Sequence, residues 1–299
     1  MRLGLGTVQF GLDYGISNAA GRVPIDEVSP IIQAAVESGM RVLDTAAAYG
    51  QSEEVLGQVL PPEHPFAIVT KTLPLAGRPV TPETVRLVSE TFQRSLERLQ
   101  QDSIYGLLVH HAQDLLGEGG DLLWEELSDL KRQGLVQKIG ASVYTGDQID
   151  ALQARPIDVI QLPLNVLDQR LSHSGHLKAL KRNGVEIHVR SAFLQGLLLM
   201  PAAELPSYFE TVRPHLTTYG EVMASHGLSR AGGALAFLRG LETIDEIIVG
   251  VTDEQQLQEL LAAFRQPIPP ELDFQVFAWN DEAMLDPSRW HAKAQEVAR

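Results

Sequence analysis

The 299-residue chain contains no cysteine. Disulfides, thiolate nucleophiles and cysteine-ligated zinc are therefore excluded. Positive charge is scarce as well: 24 Lys and Arg against 38 Asp and Glu leave a formal net charge of −14. Such a field repels nucleic acid and anionic membranes, although a local basic pocket can still hold an anion. No apolar run approaches the roughly 18 residues of a membrane span, and residues 1 to 20, with Asp13 and several glycines, lack the apolar core of a secretion signal. The expectation is a soluble, cytoplasmic chain whose partner is a small molecule, neither a nucleic acid nor a membrane. A hydrophobic content of 44% is enough to bury a sizeable core, so disorder is not expected.

What is present is an alternation. Eight short runs rich in Val, Ile and Leu read as strands: LGLGTV, RVLDTA, FAIVTKT, IYGLLVH, KIGASV, VIQLPL, EIHVRSA and EIIVGV. Helical patterns lie between them. In TPETVRLVSETFQRSLERL, Val85, Val88, Phe92, Leu96 and Leu99 recur at three- or four-residue steps, with Thr81 as N-cap and Pro82 at the first helical position. Strands that are apolar almost throughout belong in a parallel sheet covered by helices, and eight of them favour one closed (β/α)8 TIM barrel domain over residues 1 to 299. An open doubly wound sheet is the alternative. Its G-x-G-x-x-G fingerprint fails after Gly4 and Gly6, because Gln9 stands where the third glycine belongs. The longest interval between strands, residues 193 to 245, is expected to be a long loop with added helices. The segment after about residue 266 should wrap over the barrel as a C-terminal tail.

A barrel gathers function at the C-terminal ends of its strands. The second strand ends at Asp44 with Tyr49 in its loop, the third at Lys71, and the fourth at His110 and His111. Singly, these could be a loop cap, a rim aromatic, a solvated lysine and a core histidine. Together on three consecutive strand ends they suggest proton delivery. An ammonium beside a phenol stabilises the phenolate and eases proton transfer to a developing alkoxide, which fits Lys71 beside Tyr49. A carboxylate keeps a buried lysine charged, the role left for Asp44, and a neutral imidazole at His110 can orient a substrate oxygen. His110 and His111, adjacent on a strand, should face opposite ways, and no third ligand accompanies His173 and His176, so no metal site is expected.

DTAAAYGQSEEVLG, with VTK and LLVHH, resembles the aldo-keto reductase superfamily, whose pattern is close to D-T-A-x-x-Y-G-x-S-E-x-x-L-G. The likeness extends through LGLGTVQFG, IGAS, QLPLN and GVTDEQQLQEL, most of the chain. The resemblance implies reduction of an aldehyde or ketone by NADPH, with NADH as the alternative nucleotide, and a catalytic tetrad of Asp44, Tyr49, Lys71 and His110. It implies cofactor contacts from Gly6 and Thr7, a carboxamide held by Ser142 and Gln161, and a pyrophosphate loop containing Ser191, Phe193, Gln195 and Gly196. Gly250, Thr252 and Glu259 match the adenosine end. His111 is assigned to the substrate pocket.

Four positions depart from the common pattern, one of them Leu260, which replaces the usual Asn. Val143 replaces an Asn, Arg190 stands where many members stack a Tyr on the nicotinamide, and Gln256 replaces an Arg that often contacts the 2′-phosphate. A guanidinium can itself stack. A neutral amide cannot pair with a phosphate as a guanidinium does, so the preference for NADP over NAD should be weakened. LGTVQFGLDYGISN and VRSAFLQGLLL further resemble bacterial members associated with surface-polysaccharide genes, which adds a sugar-like carbonyl to the substrate classes. Two rival readings stay open on the residues alone: a nucleotide-binding regulatory barrel with slow turnover, and a non-redox isomerase using Lys71 as a Schiff-base amine.

Overall fold

The computed structural model describes residues 1–290, and residues 291–299 lie outside the described residues. The eight strands are β1 (Arg2–Gly6), β2 (Val42–Asp44), β3 (Ala67–Lys71), β4 (Ile104–Val109), β5 (Val136–Ser142), β6 (Val159–Pro163), β7 (Glu186–Arg190) and β8 (Glu246–Gly250). They pair in parallel, each with its successor, and β1 pairs with β8 from Arg2 opposite Glu246 to Gly6 opposite Gly250. That closure eliminates the open-sheet alternative. Each strand lies within or close to one of the eight apolar runs read from the sequence, because a strand covered on both faces has no reason to alternate.

The helices follow from local chemistry. Thr81 caps the helix Pro82–Leu99 by accepting a hydrogen bond from the Thr84 amide, and Pro82 costs nothing at a position whose amide would be unpaired. Val88, Phe92, Leu96 and Leu99 are buried against the barrel, each contributing roughly 1.5 to 3 kcal/mol relative to exposure. Asp253 caps the helix Glu254–Arg265 through the Gln256 amide. The helix Gly120–Arg132 ends just before Gly134, whose φ of 79° suits a residue without a Cβ.

The 193 to 245 interval contains the short turns Ala202–Glu204 and Ser207–Phe209 and the helices Arg213–Ser225 and Arg230–Arg239. The described part of the tail returns across the barrel: Trp279 donates its amide to the Leu167 carbonyl, and Phe209 meets Trp290 edge to face. At the N-terminal end of the barrel a polar floor closes the interior. Tyr105 and His188 contact the Glu186 carboxylate, each at 2.6 Å, Lys138 pairs with it, and Arg2 pairs with Glu246 at 2.8 Å.

Candidate functional site

The opposite, C-terminal end opens into a cavity of about 500 Å³. Asp44, Tyr49, Lys71 and His110 all line it. Parallel pairing places the ends of β2 and β3 side by side, Asp44 opposite Val69, so the Lys71 ammonium reaches the Asp44 carboxylate at 2.7 Å and the Thr45 carbonyl at 2.9 Å. Both side chains are almost fully buried, Lys71 to 1% and Asp44 to 6% exposure. Burial opposes the lysine's charge, but Asp44 and the neighbouring Tyr49 more than offset it, and its pKa sits above the ordinary value. An ammonium held this firmly is a poor Schiff-base amine, which tells against the isomerase reading.

The same ammonium donates to the Tyr49 hydroxyl at 3.4 Å and lies 4.9 Å from the centre of its ring. His110 meets that ring edge to face, with centroids 5.9 Å apart. Burial, reinforced by the neighbouring Lys71, His111 and Arg190, lowers the His110 pKa to about 3, so the imidazole is neutral at any physiological pH. Its Nδ1 is buried without a partner.

Gln161, in β6, is fully buried and donates its amide NH₂ to Asp44 at 2.7 Å. A carboxylate only accepts, so the orientation of this amide is fixed and its Oε1 faces away. That oxygen is buried and unpartnered. Next to it in the strand register stands Ser142, the last residue of β5. A free acceptor beside a hydroxyl able to donate is the complement of a primary carboxamide.

Arg190, at the end of β7, donates from Nε to Ser142 Oγ at 3.3 Å, from Nη1 to Ser191 Oγ at 3.3 Å and from Nη2 to the Val143 carbonyl at 3.2 Å. The Tyr144 ring covers its guanidinium at 4.1 Å. Beyond it, Ser191, Leu194, Gln195 and Gly196 all have positive φ. This tight loop is held from across the barrel mouth, where Ile16 donates its amide to the Gln195 carbonyl at 2.9 Å. Gly196 is required there: a Cβ would lie 1.9 Å from Ser17 Oγ.

Gly6, Thr7, Phe193, Gly250, Thr252 and Gln256 also line the cavity. The Thr7 hydroxyl is already committed, donating to the Asp44 carbonyl at 3.0 Å and lying 2.8 Å from Ser52 Oγ. Gln256 accepts from the Thr252 amide at 3.1 Å. Two expected residues are not brought to the wall. Glu259 lies a turn beyond Gln256, where it accepts from Gln255 at 2.8 Å. His111 does not line the cavity either. The expectation that His110 and His111 face opposite sides of a strand also fails, because β4 ends at Val109 and both rings sit in the following bend, 5.1 Å apart.

Several further residues shape the site without having been singled out from the sequence. Tyr14 and Tyr144 line the cavity from loops, and burial with the neighbouring Tyr49 raises the Tyr14 pKa. Ser52 and Glu53, inside the DTAAAYGQSEE stretch, hold the loop. Ser52 donates to the Thr7 carbonyl at 2.8 Å, and the buried Glu53 carboxylate accepts from Thr70 at 2.6 Å and Arg98 at 3.2 Å. Gly11 has a signal only in three dimensions: its Cβ would lie 1.8 Å from the Tyr49 carbonyl oxygen.

The model of the Aldo/keto reductase family matches residues 2–273. Among curated proteins, the chain is 30% identical over 175 residues to Aldo-keto reductase YhdN of Bacillus subtilis, covering 56% of this chain and 52% of that protein. The match thus spans about half of that relative's length. Pyridoxal 4-dehydrogenase of Microbacterium luteolum is 25% identical, with 90% of this chain and 91% of that protein covered. The solved holo form of an aldo-keto reductase from Bacillus halodurans shares the fold, with a TM-score of 0.69 at 19% identity over 96% of this chain and 94% of that one.

Proposed function

The chain belongs to the aldo/keto reductase family, and from that premise we propose that it is a single-domain, NADPH-dependent reductase of an aldehyde or ketone. Tyr49 is the general acid of this reading. The observation that carries it is the buried chain of contacts from Gln161 through Asp44 to Lys71 and the Tyr49 hydroxyl. Asp44 keeps Lys71 charged in a site that desolvates it, and Lys71 places that charge against the phenol whose proton leaves. Neutral His110 donates a hydrogen bond to the substrate oxygen without competing for the proton.

The residues fit a nicotinamide nucleotide. Gln161 Oε1 and the Ser142 hydroxyl suit its carboxamide, the loop from Ser191 to Gly196 its pyrophosphate, and Gly250, Thr252 and Gln256 its adenosine end. When bound, the nucleotide supplies a hydride to the carbonyl carbon. Gln256 offers the 2′-phosphate an amide rather than a charge, so discrimination against NADH is modest for this family. The substrate is a small carbonyl compound, with sugar-like carbonyls among the classes to test. Cytoplasmic location is part of the same reading.

The test separates binding from turnover. Tyr49→Phe keeps the ring and removes the donor, so quenching of protein fluorescence by NADPH should persist while aldehyde reduction falls by orders of magnitude. Near-normal turnover in that variant would remove Tyr49 from the mechanism. Wild-type binding of NADPH without turnover of any carbonyl compound would favour the regulatory alternative.

A further inference from the structure

We infer that Arg190 makes this cavity discriminate between the two redox states of the nicotinamide ring, favouring the uncharged reduced form over the cationic oxidised one. The inference rests on the nucleotide-binding reading above and concerns a residue to which that reading assigned no electrostatic role.

The guanidinium is fixed beside the carboxamide seat. Its Nε donates to Ser142 Oγ, the hydroxyl that flanks the orphaned Gln161 oxygen. Its other two hydrogen bonds end on the Ser191 hydroxyl and the Val143 carbonyl. All three acceptors are neutral. Among the described residues no carboxylate lies within ion-pair distance of Arg190, while the other cation of the cavity, Lys71, is neutralised by Asp44. Arg190 is therefore the uncompensated charge of the site, in a chain whose overall charge is strongly negative. Its field reaches the reacting end, where it helps to lower the His110 pKa and works against the burial that raises the Tyr14 pKa.

The charge cannot easily turn away. Tyr144 covers the guanidinium at 4.1 Å, and the hydrogen bonds fix its plane. An aromatic ring at this place would offer a polarisable face to either redox state. A guanidinium repels a pyridinium and tolerates a dihydropyridine. Reduction of the carbonyl moves a hydride, two electrons with one hydrogen nucleus, from the ring to carbon, while the proton comes from Tyr49. The ring is left with one positive charge, next to the cation that is already there. Arg190 thus weakens the hold on the spent nucleotide and favours its exchange.

The experiment is an equilibrium one. NADPH and NADP⁺ are titrated separately into wild type, Arg190→Gln and Arg190→Lys, followed by protein fluorescence. The nicotinamide-free fragment 2′-phospho-ADP-ribose serves as a third ligand. The wild type should bind NADPH more tightly than NADP⁺. Arg190→Gln should narrow that ratio roughly tenfold or more, for a unit charge removed from a partly desolvated site, mainly by tightening NADP⁺. Arg190→Lys should retain most of the ratio, and the fragment's affinity should not change in either variant. An unchanged ratio in Arg190→Gln overturns the inference, and so does an equal loss for all three ligands, which would make Arg190 an anchor for phosphates. If the wild type binds neither nucleotide, the nucleotide-binding reading fails with it.

Discussion

Replacing Lys71 by Met keeps the approximate length of the side chain and removes its charge, leaving the Asp44 carboxylate buried with only the Gln161 amide as side-chain partner. Breaking one side of a buried ion pair costs roughly 3 to 5 kcal/mol, because the remaining charge is desolvated without compensation. That is a large share of the roughly 5 to 15 kcal/mol that stabilises a typical folded protein. With an unfolding entropy of about 2 cal/mol/K per residue over 299 residues, each kcal/mol lowers the melting temperature by about 1.6 °C. Lys71→Met should therefore melt roughly 5 to 8 °C below wild type. Asp44→Asn should fall by a similar amount, since it strands the ammonium. The double variant, Asp44→Asn combined with Lys71→Met, is the decisive one. It sets a neutral amide against a thioether, and the Gln161 NH₂ group still has an oxygen to meet, so stability should return to within about 1 kcal/mol of wild type. Carbonyl reduction should remain abolished in all three. Urea unfolding at pH 7 gives the three free energies and their coupling. If either single variant loses less than about 1 kcal/mol, or if the double variant loses the sum of the two, Asp44 and Lys71 are not a mutually compensated buried pair.

The other predictions concern the surrounding groups. His110 has a folded pKa of about 3 against an unfolded value of about 6.5. Its neutral, buried state therefore stabilises the protein fully above about pH 6.5, and that stabilisation is lost as pH falls from there towards 3. In His110→Gln the urea midpoint should decline less steeply over that window, and parallel slopes would refute the assignment. Gln256→Arg should tighten NADPH by roughly 1 to 3 kcal/mol through a charge-assisted hydrogen bond and leave NADH nearly unchanged. Equal effects on both nucleotides in a titration would show that this side chain does not face the 2′ position. Gly11→Ala should cost roughly 1 to 3 kcal/mol by overpacking against the Tyr49 carbonyl. It should also lower kcat by up to about a hundredfold by displacing the phenol, as an ångström of misplacement does. Wild-type kcat in a destabilised Gly11→Ala would separate the two effects and reject the second.

The barrel is legible in the sequence because its signal is repeated and short in range. Eight apolar runs alternate with helices whose caps, such as Thr81 and Asp253, are written in single residues. Asp44, Tyr49, Lys71 and His110 are legible as a group because strand ends in a parallel barrel share one rim. Whether Gln161 has a spare oxygen depends on which atom of its amide meets Asp44, a fact of packing that leaves no trace in the order of residues. The Arg190 stack on Tyr144 and the clearance at Gly11 are of the same kind, contacts between segments far apart in sequence. His111 departs from its expected place because the strand ends a residue earlier than its apolar run suggests.

The seam between β1 and β8 joins residues 244 positions apart, Arg2 and Glu246. Its consequence appears when the protein is made. Synthesis delivers Asp44, Tyr49, Lys71 and His110 in the first 110 residues, and Gln161, which completes the Asp44 contacts, lies 117 residues after its partner. The segment that clasps Gln195, around Ile16, is made well before β7 and has nothing to hold until the loop after β7 exists. Pairings of such range form late, since loop closure must precede the contacts that reward it. A nascent chain that has reached β5 thus holds Asp44, Tyr49, Lys71, His110 and Ser142 but lacks Gln161, Arg190 and the loop from Ser191 to Gly196, and the cavity is whole only when β1 meets β8.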